Sequence, residues 1–149
     1  MDNPFFKQCP SCHEWFSRRA ILMNPEIKPI GMSVNPNNPD LSLFFFEHDN
    51  GKCGTSFTIP VKEFLPVIEE PLEENLMGRA NCPGLCTHLD ELSECHSKCL
   101  YAPFRRLVLT MLETREKSAE EEPRENDLPT EHKETARSHA TGLGAELIQ

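Results

Sequence analysis

Apolar positions along this chain change rhythm twice. Up to about residue 66 they fall in short runs suited to strands. Residues 41–48 (LSLFFFEH) form the strongest such run and 55–61 (TSFTIPV) the next, with Asp49-Asn50-Gly51 between them as a tight turn, so the pair predicts a β-hairpin. Residues 27–34 (IKPIGMSV) also read as a strand. Pro29 lacks the N–H that a ladder needs, which limits this strand to a sheet edge or a strand start. Residues 35–40 (NPNNPD) predict a loop, and the apolar run 20–23 closes a poorly alternating stretch from Trp15. From 66 to 80 the pattern breaks. Pro66 and Pro71 among Glu69, Glu70, Glu73 and Glu74 predict an exposed connector, with one helical turn over 72–77 ending at Gly78. Beyond it the pattern is helical. Asp90 suits the N-cap of a segment to Tyr101 that lacks Gly and Pro, and Pro103 suits the first turn of another. Phe104, Leu107, Val108, Met111 and Leu112 then form a stripe, the mark of core packing or of a partner-docking face. No internal repeat is visible.

The fold class expected is α+β: a small N-terminal β-rich module over 1–65, an acidic linker over 66–81, a cysteine-rich helical hairpin over 82–114 and a disordered tail over 115–149. The tail holds nine acidic and five basic side chains and no aromatic one, too little apolar surface to offset the entropy of ordering. Only 143–148 (LGAELI) could dock. Modules of roughly 35–60 residues are small enough to need a metal as a staple.

The net charge of −9 is unevenly spread. Residues 1–66 and 82–114 each carry −1, the linker over 67–81 carries −3 and the tail −4. The cysteine-bearing parts are thus nearly neutral, which argues against nonspecific binding to nucleic acid. A nucleic-acid-binding surface would need Lys7, Trp15, Arg18, Arg19 and Lys28 on one face, or a local spot at Arg105/Arg106. The N-terminus lacks a basic region followed by an apolar run of roughly 7–15 residues, and no segment approaches the roughly 20 apolar residues that span a bilayer. The expected compartment is the reducing cytoplasm, where cysteine clusters point to metal or redox chemistry.

Six of the seven cysteines are paired in spacings that metals use. Cys9 and Cys12 form a C-x2-C, and His48 and Cys53 follow in the turn of the expected hairpin. Thiolate and imidazole together suit zinc, which four of them enclose in a tetrahedron. Gly54 is expected to supply a positive φ that aims an N–H at sulfur. Over residues 7–60 the chain resembles a zinc ribbon, a metal held by two knuckles on neighbouring β-hairpins. The resemblance rests on the CPSC knuckle; the second knuckle departs from the usual C-x2-C, and His13 competes with His48 as fourth ligand. A thioredoxin-like redox pair at Cys9/Cys12 would need an α/β unit, and none is visible. A closed four-ligand site is structural, because no position remains for water or substrate.

Cys82/Cys86 and Cys95/Cys99 are two C-x3-C pairs eight residues apart. On helices, a spacing of four stacks both sulfurs on one face. Three chemistries fit: a four-cysteine zinc site, an iron–sulfur cluster, or two disulfides. The last resembles the twin C-x3-C small translocase chaperones of the mitochondrial intermembrane space. That likeness covers only the cysteine pairs, and the preceding ribbon is foreign to that family. His88 and His96 read as solvated, since His96 turns away from Cys95 on a helix.

No catalytic motif stands out: there is no G-x-S-x-G, P-loop, H-E-x-x-H or deaminase signature. The expected function is therefore a non-catalytic zinc protein acting as a small adaptor or regulatory interaction module, its partner another protein. Its candidate surfaces are strand 43–46, if at an edge, and helix 104–112. The alternatives are a redox protein (an electron carrier or a thiolate switch) and a nucleic-acid-binding ribbon.

Overall fold

The computed structural model describes residues 2–121. Its elements are β1 (Lys7–Gln8), β2 (Trp15–Phe16), α1 (Arg18–Met23), β3 (Ile27–Ser33), β4 (Leu43–Asp49), β5 (Gly54–Pro60) and α2 (Ala102–Glu121), with 3-10 turns at Pro39–Leu41, Val61–Val67 and Leu85–Thr87. The architecture is α+β, as the sequence predicts. Strands β1 and β2 pair antiparallel as a short ribbon, and β3-β4-β5 form an antiparallel sheet in that order.

The sheet follows its sequence pattern closely. In β4, Phe44, Phe46 and His48 alternate inward while Glu47 and Asp49 face out. The register sets Phe46 opposite Phe57 on β5 and opposite Pro29 on β3. Pro29 lies on an edge strand, and a bulge between Pro29 and Gly31 follows it. Phe44, Phe46 and Phe64 cluster by edge and tilted contacts, and the Phe104 ring of α2 meets Phe44 at 6.4 Å between centroids. Because β4 is the central strand and Phe44 and Phe46 are fully buried, strand 43–46 is core and offers no edge. The same holds for the stripe on α2, where Phe104, Val108 and Met111 are buried.

Three segments differ from what the pattern alone conveys. Residues 18–23, left without an element by their poor alternation, form helix α1, capped by the Ser17 hydroxyl, which accepts from the Ala20 amide at 3.0 Å. The turn over 72–77 is not helical, although Gly78 does adopt a left-handed φ of 83°. The third correction matters most. Residues 82–101 do not form a helical hairpin: apart from the turn Leu85–Thr87 they are irregular. The backbone groups that a helix would pair internally are used elsewhere. Arg105 takes the carbonyls of Glu91 and Ser93, and the Leu89 carbonyl accepts from the Met32 amide on the β3 edge at 2.9 Å. That contact needs Gly31, since a Cβ there would lie 2.8 Å from the Leu89 carbonyl oxygen.

The sequence divides the ordered chain at the linker, yet residues 1–119 cluster as one compact unit, its core shared by the sheet, the cysteine-rich segment and α2. Helix α2 also takes in residues 115–121, which composition assigns to the tail. The remainder of the expected tail, with its apolar end, lies outside the described residues. No described helix is long and apolar enough to cross a membrane.

Candidate metal centre

The knuckle between β1 and β2 is built by its backbone. The Cys9 amide donates to the Glu14 carbonyl and the His13 amide to the Cys9 carbonyl, closing a tight loop. The left-handed residue in that loop is His13, with φ 64°. Gly54, expected to need such a φ, does not adopt one; Gly51 does, in the turn between β4 and β5. That turn is held by Asn50, whose side-chain oxygen accepts from the amides of Lys52 and Cys53.

These two loops bring Cys9, Cys12, His48 and Cys53 together, with all four ligating atoms within 4.8 Å of one another. Cys9 Sγ lies 3.8 Å from Cys53 Sγ, and His48 Nδ1 lies 3.4 Å from Cys9 Sγ and 3.7 Å from Cys12 Sγ. A tetrahedral ion with bonds of about 2.3 Å to sulfur and 2.0 Å to nitrogen sets its ligands about 3.8 and 3.5 Å apart. These three spacings match those of a tetrahedral site, and the quartet could hold a metal ion. His13 is exposed and outside the quartet, whose fourth member is His48.

His48 is positioned by the sheet. It occupies the next core-facing position of β4 after Phe46, is fully buried, and packs edge-on against Phe16 at 5.1 Å between centroids. Its Nδ1 faces the sulfurs, while Nε2 is buried without a hydrogen-bond partner. The Glu14 carboxylate stands 3.8 Å from Nε2. An imidazole bound through Nδ1 carries its proton on Nε2, and a carboxylate on that side is the usual outer support of a metal-bound histidine. Sequence reading missed Glu14, although its place two residues after the second knuckle cysteine was visible.

Electrostatics favour thiolate at this loop. Burial pushes the Cys9 thiol up, but the backbone N–H groups of Cys12 and Ser11, with His48, outweigh it and bring Cys9 down to about 6. Burial raises Cys53, and the neighbouring sulfurs of Cys9 and Cys12 raise it further. Crowded thiols of this kind ionise together when a cation joins them.

The other four cysteines line one small cavity, together with Leu76 and Arg105. Cys95 and Cys99 are buried, and Cys82 and Cys86 half-buried. Their sulfurs are less closely gathered than the first quartet, which is the one group of this kind among the described residues with all ligating atoms within 4.8 Å. All seven cysteines are free. His88 and His96 are exposed, as expected. Comparison with protein-family models, curated proteins and solved structures gives no match.

Beside the first knuckle in sequence, two aromatic side chains are exposed. Phe5 is 63% and Trp15 47% exposed, and the two rings meet edge-on at 5.6 Å. Two basic side chains are engaged within the chain: Arg18 lies over the Phe6 ring and donates to the Glu63 carbonyl, and Lys7 lies over Phe57.

Proposed function

We propose that this chain is a non-catalytic zinc protein that serves as a small adaptor or regulatory interaction module in the cytoplasm. The observation that carries this reading is the quartet Cys9, Cys12, His48 and Cys53, gathered within 4.8 Å with three of its spacings at tetrahedral values. Three thiolates and an imidazole are a donor set that zinc favours, and four protein ligands leave no open position for substrate chemistry. The metal then acts as a staple joining the β1–β2 ribbon to the β4–β5 turn. With strand 43–46 and the α2 stripe buried, the surface that supports binding another protein is the Phe5/Trp15 pair beside the knuckle. The nucleic-acid reading has less support than the protein-binding one, because Lys7 and Arg18 already make aromatic contacts within the chain.

Elemental analysis of the full chain, purified under reducing conditions, tests the metal. Zinc that Cys12→Ser abolishes at the first site is the expected result, whereas zinc content unchanged by that substitution refutes the reading. For the interaction role, partners retained by the wild type should be lost with Phe5→Ala/Trp15→Ala at unchanged zinc content.

A further inference from the structure

We infer that Cys82, Cys86, Cys95 and Cys99 form a second zinc centre, an all-thiolate one, and that Arg105 holds its negative charge. This centre uses none of the residues of the first site and stands or falls separately. The four cysteines line a single cavity of about 10 Å3, with their sulfurs farther apart than those of the first quartet. That is room for one particle the size of a water molecule or smaller, which suits a single ion better than an iron–sulfur cluster with its bridging sulfides.

Charge supplies the independent argument. Arg105 is 2% exposed. Its guanidinium donates to the carbonyls of Ser93 at 3.0 and 2.8 Å and Glu91 at 2.6 Å, and reaches Cys86 Sγ at 3.8 Å. No carboxylate bonds to it: the Glu91 side chain turns to Ser93 instead. Arginine stays protonated in proteins, so this is a buried cation whose polar contacts are all neutral carbonyls and thiols. It also sits in the first turn of α2, which has no acidic residue and where the helix dipole already favours anions. Four thiolates around Zn2+ carry a net charge of −2 and answer both features. Two disulfides would be neutral and would leave the cation only the Glu91 carboxylate, which Ser93 and, more weakly, Arg105 hold below the usual range, in the case of Arg105 without a hydrogen bond.

The surrounding backbone fits the same reading. The Leu76 amide donates to Cys99 Sγ at 3.4 Å, the N–H···S contact that supports a metal-bound thiolate. Ser97 Oγ donates to the Asn81 carbonyl, tying the two cysteine pairs together. Helix α2 begins three residues after Cys99, with the Ala102 amide on the Cys99 carbonyl at 3.1 Å. Binding draws the sulfurs to about 3.8 Å from one another and releases their protons. The irregular segment 82–99 is the part that contracts.

The test counts metal and thiols on the full chain. Two zinc equivalents are expected per wild-type chain. Cys95→Ser should lose one and Cys12→Ser the other. Since either variant could misfold, the wild type is also alkylated before and after chelation, and the modified peptides are identified by mass. Protection of all four later cysteines that chelator alone removes supports the centre. A single equivalent insensitive to Cys95→Ser, protection that only a reductant removes, or iron with acid-labile sulfide each overturns it. For Arg105, Arg105→Gln should weaken the second equivalent about 10–100-fold in a chelator competition, and Arg105→Lys should recover most of that loss. Equal loss in both variants would reduce Arg105 to a support of the loop.

Discussion

Arg115 on α2 donates to the carbonyl oxygen of Ile21 in α1 at 2.6 Å, across 94 positions of sequence. The same guanidinium reaches the carbonyls of Leu22, Met111 and Ile27. Ile21 and Leu22 lie in the last turn of α1, where carbonyls have no helical partner. Burial lowers Arg115 to about 10, so it remains charged at neutral pH and suits the negative end of that short helix.

Arg115→Leu should therefore destabilise the protein by about 3 kcal/mol, because buried carbonyls lose their donor at roughly 1–3 kcal/mol each without full additivity. Urea denaturation measures this. Truncation after residue 114 should cost at least as much, whereas truncation after Glu121 should leave the denaturation midpoint unchanged. Equal stability of the two truncations would show that Arg115 does not matter.

Glu14 gives a prediction that separates metal support from folding. Glu14→Gln should leave strand content intact and weaken the first zinc equivalent about 10–100-fold, as loss of an outer-shell partner does. His48→Ala should go further, abolishing that equivalent and melting the β1–β2 ribbon, since structural zinc supplies on the order of 10 kcal/mol to small modules. Chelator titration followed by circular dichroism distinguishes the two variants.

Gly31→Ala should destabilise by about 1–3 kcal/mol, because the new methyl meets the Leu89 backbone, which cannot rotate away. Hydrogen exchange at the Met32 amide, bonded to Leu89, is expected to speed up. Unchanged protection there would place the loop elsewhere in solution.

The Glu70–Arg106 pair predicts a pH effect. Arg106 holds the Glu70 carboxyl below its usual range. A carboxyl whose folded pKa is depressed adds stability above the unfolded value of about 4.3, and that contribution is lost as pH falls through the folded value. Melting curves from acid to neutral pH should show a limb that Glu70→Gln removes. Both side chains are well exposed, so the effect should be small and should shrink with salt.

What could be read from the sequence follows from how local each feature is. Strands β3, β4 and β5, the turn at 49–51 and the metal quartet rest on alternation, turn residues and cysteine spacing, all contained within short windows. Pro29 placed its strand at the edge for a local reason. The segment 82–101 misled because spacing by four suits a helix as well as a loop folded around one point. Its backbone is instead committed to Arg105 and to the β3 edge, partners distant in sequence. Arg115 was hidden likewise: among neighbouring charges it resembles any solvated residue, and only Ile21 and Ile27 show it to be buried.

The chain contains one tryptophan and one tyrosine. Trp15 lies three residues beyond Cys12 on the ribbon, and Tyr101 lines the second cysteine cavity, its hydroxyl donating to the Asn35 carbonyl at 3.0 Å. Each of the two clusters thus comes with a chromophore of its own. Indole emission, excited at its red edge, would follow events at the ribbon, and tyrosine difference absorbance would follow those beside α2. In a single cuvette of unlabelled wild-type protein, metal added to or drawn from the two clusters would then be followed at each one separately.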